Sequence, residues 1–170
     1  MRKMPSIIAV ACAAALALSA CNDADKQATQ AAAEQKPAAV PVPTDPTNKT
    51  AWKQYLVSVV TANMQGVKTN HPYMYFVPAG DDDATKSDRQ NQIDNVKNVV
   101  ARGVLPGNMM AFGGPDSKTT ADLIVESFKD VQAGSFKDVV VLFIGAPGDL
   151  DAVKQALASS GAEVRFVEAK

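Results

Sequence analysis

Read from its amino end, the chain alternates long apolar or polar stretches with short patterned ones. Ile7 to Ala20 is apolar apart from Ser19. From Asn22 to Lys49 large apolar residues are almost absent, while Ala, Gln, Asp and Pro recur. Patterned hydrophobicity begins at Thr50. Trp52, Tyr55, Leu56, Val59 and Val60 recur at helical spacing, with Thr50 placed to cap them. Tyr73 to Val77 is an aromatic and β-branched run that predicts a strand. Ser87 to Ala101 predicts a helix with Ile93, Val96, Val99 and Val100 on one face. It is opened by the capping-box spacing Ser87-Asp88-Arg89-Gln90 and closed at Gly103. Met109 to Phe112 predicts a second strand. Thr119 to Gln132 predicts a helix with Leu123, Ile124, Phe128 and Val131 inward, ending near Gly134. Val139 to Ile144 is continuously apolar, the pattern of a strand covered on both faces. Leu150 to Ser159 predicts a last helix with Leu150, Val153 and Leu157 inward, and Val164 to Val167 a last strand whose charges suit a sheet edge.

Helix, then strand and helix three times, then strand, is the order of an α/β domain. The expected architecture is a small three-layer domain with a mainly parallel four-stranded sheet flanked by about four helices. Helices on both faces favour a strand order such as 2-1-3-4. The divisions are 1-20 as a signal segment, 21-49 as a tether and 50-170 as the globular domain. The tether cannot bury enough apolar surface to offset the entropy of ordering. A flexible chain of that length spans roughly 30 Å, and Pro37, Pro41, Pro43 and Pro46 lengthen it.

The amino end sets the compartment. Arg2 and Lys3 precede the apolar stretch, the n-region and h-region of a secretory signal. The stretch is shorter than the roughly 20 residues of a bilayer span. Leu18-Ser19-Ala20-Cys21 closes it and resembles the lipobox of bacterial lipoproteins. That resemblance covers only the amino end. It implies cleavage before Cys21 and a diacylglyceryl group on its sulfur. Two or three acyl chains then hold the protein on a membrane, since one alone binds only marginally. In that family an Asp directly after the cysteine retains the protein at the inner membrane. Asn22 stands there, which implies the outer membrane, with the domain facing the periplasm.

Composition then narrows the chemistry. The chain has two cysteines, Cys12 and Cys21. One leaves with the signal and the other carries lipid, so the mature domain has no thiol for catalysis, metal binding or a disulfide. Loss of Arg2 and Lys3 leaves 15 basic against 18 acidic residues, without the basic patch that nucleic-acid binding requires. His71 is the only histidine and precedes Pro72 at the amino end of a strand. A Ser-His-Asp triad would need it at the opposite edge, so a solvent-exposed or capping histidine is the expectation. G-x-S-x-G, Walker and H-E-x-x-H motifs are absent, and no catalytic residue, metal ligand or cofactor is assigned.

Three loops share a composition. Asp81, Asp82 and Asp83 follow the first strand, Gly113-Gly114-Pro115-Asp116 the second, and Gly145 to Asp151, with Asp149 and Asp151, the third. In a parallel sheet all three lie at the carboxyl ends of the strands, where open α/β sheets hold their ligands. Asp81, Asp82, Asp83, Gly113, Gly114, Asp116, Asp149 and Asp151 are therefore the candidate ligand residues, for a cation, an amine or a basic protein surface. Against this, Asp beside a helix start caps free amides, Gly113-Gly114 fits a tight turn, and Lys86, Arg89 and Lys118 neutralise part of the charge. Met109 and Met110 are expected in the core. Trp52 and Tyr55 either staple the first helix or form an exposed contact patch, and sequence does not choose. The function expected is a membrane-anchored, non-catalytic module that binds an envelope protein or component, as an accessory subunit or inhibitor. The alternatives are a small-ligand or cation-binding domain on the acidic edge, and a small envelope hydrolase resting only on the α/β architecture.

Overall fold

A computed structural model describes residues 40-170; the signal segment, Cys21 and most of the tether lie outside the described residues. The helices are α1 (Lys49–Ala62), α2 (Asp83–Arg102), α3 (Ser117–Ser127) and α4 (Leu150–Leu157). The strands are β1 (Tyr73–Phe76), β2 (Met109–Gly113), β3 (Val140–Gly145) and β4 (Glu163–Glu168). The domain is α/β, with one all-parallel four-stranded sheet between helices.

Strand order is β1-β2-β3-β4, not 2-1-3-4. Each crossover returns to the adjacent position, so α2, α3 and α4 share one face and the connections share one hand. The opposite face is covered by α1, which precedes the first strand rather than linking two strands. The sheet therefore has no reversal of strand order, the point at which open α/β sheets form their ligand crevice.

Paired residues of a parallel sheet share a face, so the register assigns the two cores. Met110, Phe112, Val141 and Phe143 meet Val96, Ile124, Phe128 and Val153 under the three helices. Tyr75 stacks on Phe112 at 4.8 Å, and Phe128 meets Phe136 edge-on at 5.2 Å. Met109, Ala111, Val140, Leu142 and Ile144 meet Trp52, Tyr55, Leu56 and Val60 of α1. All residues of β2 and β3 are buried, as their unbroken apolar runs require. Both edge strands are more exposed.

Capping sets the helix starts, earlier than the apolar pattern suggests. Asn48, not Thr50, caps α1 by accepting from the Ala51 amide at 3.0 Å. Asp82 accepts from the Thr85 amide at 2.9 Å and its hydroxyl at 2.7 Å, so α2 begins at Asp83 and Ser87 is interior. The β1–α2 connection is six residues, Val77 to Asp82, within the ordinary range of about 2 to 6. Asp116 caps α3, which ends at Ser127 rather than Gln132. Phe128 is its C-cap and, like Phe136 in the turns beyond, is fully buried.

Residues ahead of α1, assigned above to the tether, touch the domain. Val42 packs against the α1 core, and the Trp52 indole Nε1 donates to the Asp45 carbonyl at 3.1 Å.

Candidate functional site

The strand carboxyl ends gather the aspartate loops on one edge, and three of the six carboxylates, those of Asp82, Asp116 and Asp149, have protein partners. Asp82 and Asp116 are the caps just described. Asp116 accepts from the Thr119 amide at 2.6 Å. Hydrogen bonds from the Thr85 side chain, then its amide, hold Asp82 below the usual carboxylate range. Thr119 does the same for Asp116, helped by the nearby Arg89 and Lys118 charges. Asp149 accepts from the Ser117 hydroxyl at 2.6 Å, and Ser117 Oγ accepts from the Ala146 amide at 2.6 Å. This chain ties the β2–α3 loop to the β3–α4 loop. Asp81, Asp83 and Asp151 are exposed at the helix starts. Among the described residues, no three His, Cys, Asp or Glu side chains converge to hold a metal.

Two basic residues of this edge, Arg89 and Lys118, are also committed. Arg89 Nη1 donates to the Pro78 carbonyl at 3.2 Å and the Gly80 carbonyl at 2.6 Å, clamping the β1–α2 loop. Lys118 pairs with Asp122 at 2.7 Å within α3.

Gly113 and Gly114 are required by packing. A Cβ on Gly113 would lie 2.6 Å from Leu56 Cδ2, so its absence lets α1 sit on the sheet. A Cβ on Gly114 would collide with the Val77 carbonyl. Beside them lies a 360 Å³ cleft whose lining includes Pro115, Ser117, Gly145 and Ala146. Val42 and Pro43 of the incoming chain form one wall, and among the described residues no aspartate lines it.

Other sequence candidates fall where packing places them. Met109 and Met110 are fully buried on opposite faces of β2. His71 is exposed, its amide donating to Thr69 Oγ1 at 3.1 Å. Trp52 is 4% exposed and meets Tyr55 edge-on at 5.7 Å, so the pair anchors α1 and is not a surface patch.

The apolar surface that is exposed lies on the other side of α1. A 540 Å³ groove runs between α1 and the overhanging amino end of α2, above β1. Leu56, Val57, Met74, Phe76 and Pro78 form its apolar lining, with Lys49, Lys53, Asp88 and Gln92 on the rims. Val57 is 48% exposed and Met74 44%. Lys49 and Asp88 face each other at 3.8 Å, both exposed, a separation that contributes little. Gln92 Nε2 donates to the Phe76 carbonyl at 2.9 Å, while its Oε1 is buried without a hydrogen-bond partner among the described residues. The sequence reading assigned no role to these residues. The available signal was four consecutive apolar residues in the first strand, where a half-covered strand would alternate.

Comparisons with protein-family models, curated proteins and solved structures found no match for this chain. Among the described residues, no helix is long and apolar enough to cross a membrane.

Proposed function

We propose that this chain is a lipid-anchored periplasmic lipoprotein acting as a non-catalytic binding module for an envelope protein. The amino end supports the anchor, through the n-region, the h-region and Leu18-Ser19-Ala20-Cys21. The observation that carries the binding role is the groove beside α1. Val57 and Met74 are roughly half exposed there, next to a sheet whose central strands are entirely buried. Exposed apolar side chains grouped in one groove and rimmed by polar ones suit a small protein contact. The carboxyl edge supports the non-catalytic part of the reading, because the polar side chains it brings within hydrogen-bond reach cap helices or join loops.

The test uses the full mature chain as bait in detergent-solubilised envelope, beside the Val57→Asp and Met74→Asp variants. A specific envelope protein retained by the natural chain and lost from both variants is the expected result. Equal retention by all three, with the variants unfolding at the natural temperature, refutes the groove as the binding surface.

A further inference from the structure

We propose that the groove takes one amphipathic helix of the partner protein, lying beside α1 over β1, with carboxylates on the flank that meets Lys53 and Lys49. The proposal rests on the binding-module reading and names the kind of segment bound.

The first argument compares the two flanks of α1. One helix cannot cover four strands, so β1 and β4 both extend beyond it on that face. On the β4 side the residues there include Glu163 and Arg165. Arg165 bonds Glu163 at 2.7 Å and donates to the Asn63 carbonyl at the end of α1, also at 2.7 Å. That flank is suited to water. On the β1 side the corresponding residues are Met74 and Phe76, and α1 adds Val57. The β1 flank thus has the composition of surface that is to be covered.

The second argument decides between a helix and an added strand. The Val77 amide donates to Gly113 across the sheet at 2.9 Å. Alternate residues of a strand turn their backbone groups to opposite sides, so Met74 and Phe76 face outward, as do Pro72 and Pro78. Proline has no amide to offer, and prolines at edge positions block strand addition. The Phe76 carbonyl is already taken by Gln92. Between the two prolines only the Met74 amide and carbonyl and the Phe76 amide are left for a ladder, a short edge that disfavours an added strand, while the surface above it stays open.

Size and charge complete the case. Four residues of β1 extend about 13 Å, close to the rise of two to three helical turns. Such a helix would place apolar side chains at i, i+3 or i+4, and i+7 against Met74, Phe76 and Val57. Lys53 forms no ion pair among the described residues, and the rim carries Lys49 and Lys53 against Asp88. This net positive rim matches a carboxylate-bearing flank.

The experiment places a benzophenone amino acid at position 57, 74 or 125 of the full lipidated chain in cells of its host. Val125 is the control, an exposed apolar residue on α3 across the sheet. Expected is a protein crosslink at 57 and 74 well above that at 125. Fragment masses should place it in a segment with helical apolar spacing and flanking Asp or Glu. Lys53→Glu should lower the yield severalfold and Lys53→Arg should preserve it. Crosslinks only to lipid, or to a segment of alternating strand pattern, overturn the helix proposal. A protein crosslink confined to 125 also overturns it but leaves the binding module standing. No protein crosslink at any position removes both. Each substituted chain is first shown to unfold at the natural temperature, and one that does not is replaced by the label at position 53.

Discussion

Gly113 separates a packing role from a ligand role, because its neighbour Leu56 can be removed independently. Glycine in a strand costs about 0.5 to 1 kcal/mol relative to alanine when nothing opposes the methyl group. Here the added Cβ would meet Leu56 Cδ2 at 2.6 Å and Ile144 Cβ at 3.1 Å. Overpacking of that kind costs about 1 to 3 kcal/mol, so Gly113→Ala is expected to destabilise by about 1 to 2 kcal/mol. Leu56→Ala alone should cost about 2 to 5 kcal/mol, since Leu56 is buried between α1 and the sheet. In the double variant the methyl enters space that Leu56 has vacated. The pair should therefore be more stable than the sum of its parts by about 1 to 3 kcal/mol. Urea unfolding of the mature chain, followed by fluorescence of Trp52, its only tryptophan and a residue of the same core, measures all four corners of the cycle. Additivity within about 0.5 kcal/mol would refute the contact, and with it the explanation of why glycine stands at the end of β2.

A chain starting at Lys49 is expected to unfold about 1 to 3 kcal/mol more easily than one starting at Val40. It lacks the Asn48 cap and the Asp45 carbonyl that receives the Trp52 indole; equal urea midpoints would count against the docked segment. Asp116→Ala should cost about 1 kcal/mol near neutral pH, while Asp116→Asn should cost less because asparagine also caps. The folded pKa of Asp116 is lowered, so its charge-dependent stabilisation is present above the unfolded value near 4 and fades as pH falls through the folded one. The difference in melting temperature between the natural chain and Asp116→Asn should close below that range, and a gap that widens there would be contrary. Tyr75, pushed up to about 12 first by burial and then by the nearby Tyr73, should ionise only as pH approaches 12 in a spectrophotometric titration that compares the natural chain with Tyr75→Phe; stability held by its neutral form is present below pH 10 and lost as pH rises toward 12. Cys21→Ser should release the protein from the membrane fraction, and unchanged fractionation would remove the lipid anchor.

The α/β class was legible because each element carried its own period. Val139 to Ile144 announced a strand covered on both faces, and β3 is buried throughout. Strand order was not legible, because an apolar strand states that its faces are covered without stating by what. The second face could have been supplied by a crossover helix or, as occurs here, by a helix ahead of the first strand. Helix starts were misjudged for a local reason. Asp82 and Asp116 competed as caps with later residues, and the carboxylate bonds to Thr85 and Thr119 prevailed. The same bonds explain why the aspartate loops looked like a ligand edge, since helix capping and ligand binding at that edge draw on the same residue types at the same positions.

The groove was hidden for a different reason. Trp52, Tyr55, Leu56 and Val60 mark the buried stripe of α1, and the aromatic pair drew attention as a possible contact. Burial resolves that pair inward, while exposure falls on Val57, one position past Leu56 and about 100° around the helix. A single valine beside a buried stripe carries no signal, because scattered apolar residues are common on protein surfaces. It acquires meaning only from Met74 and Phe76 beneath it, and those residues read as core in a strand whose position in the sheet was unknown. Once β1 is at the edge and α1 is, among the described residues, the only helix on that face, three residues that each had an ordinary explanation become one surface. The number of helices on each face determines that surface, and helical or strand periodicity within a single element does not encode that number.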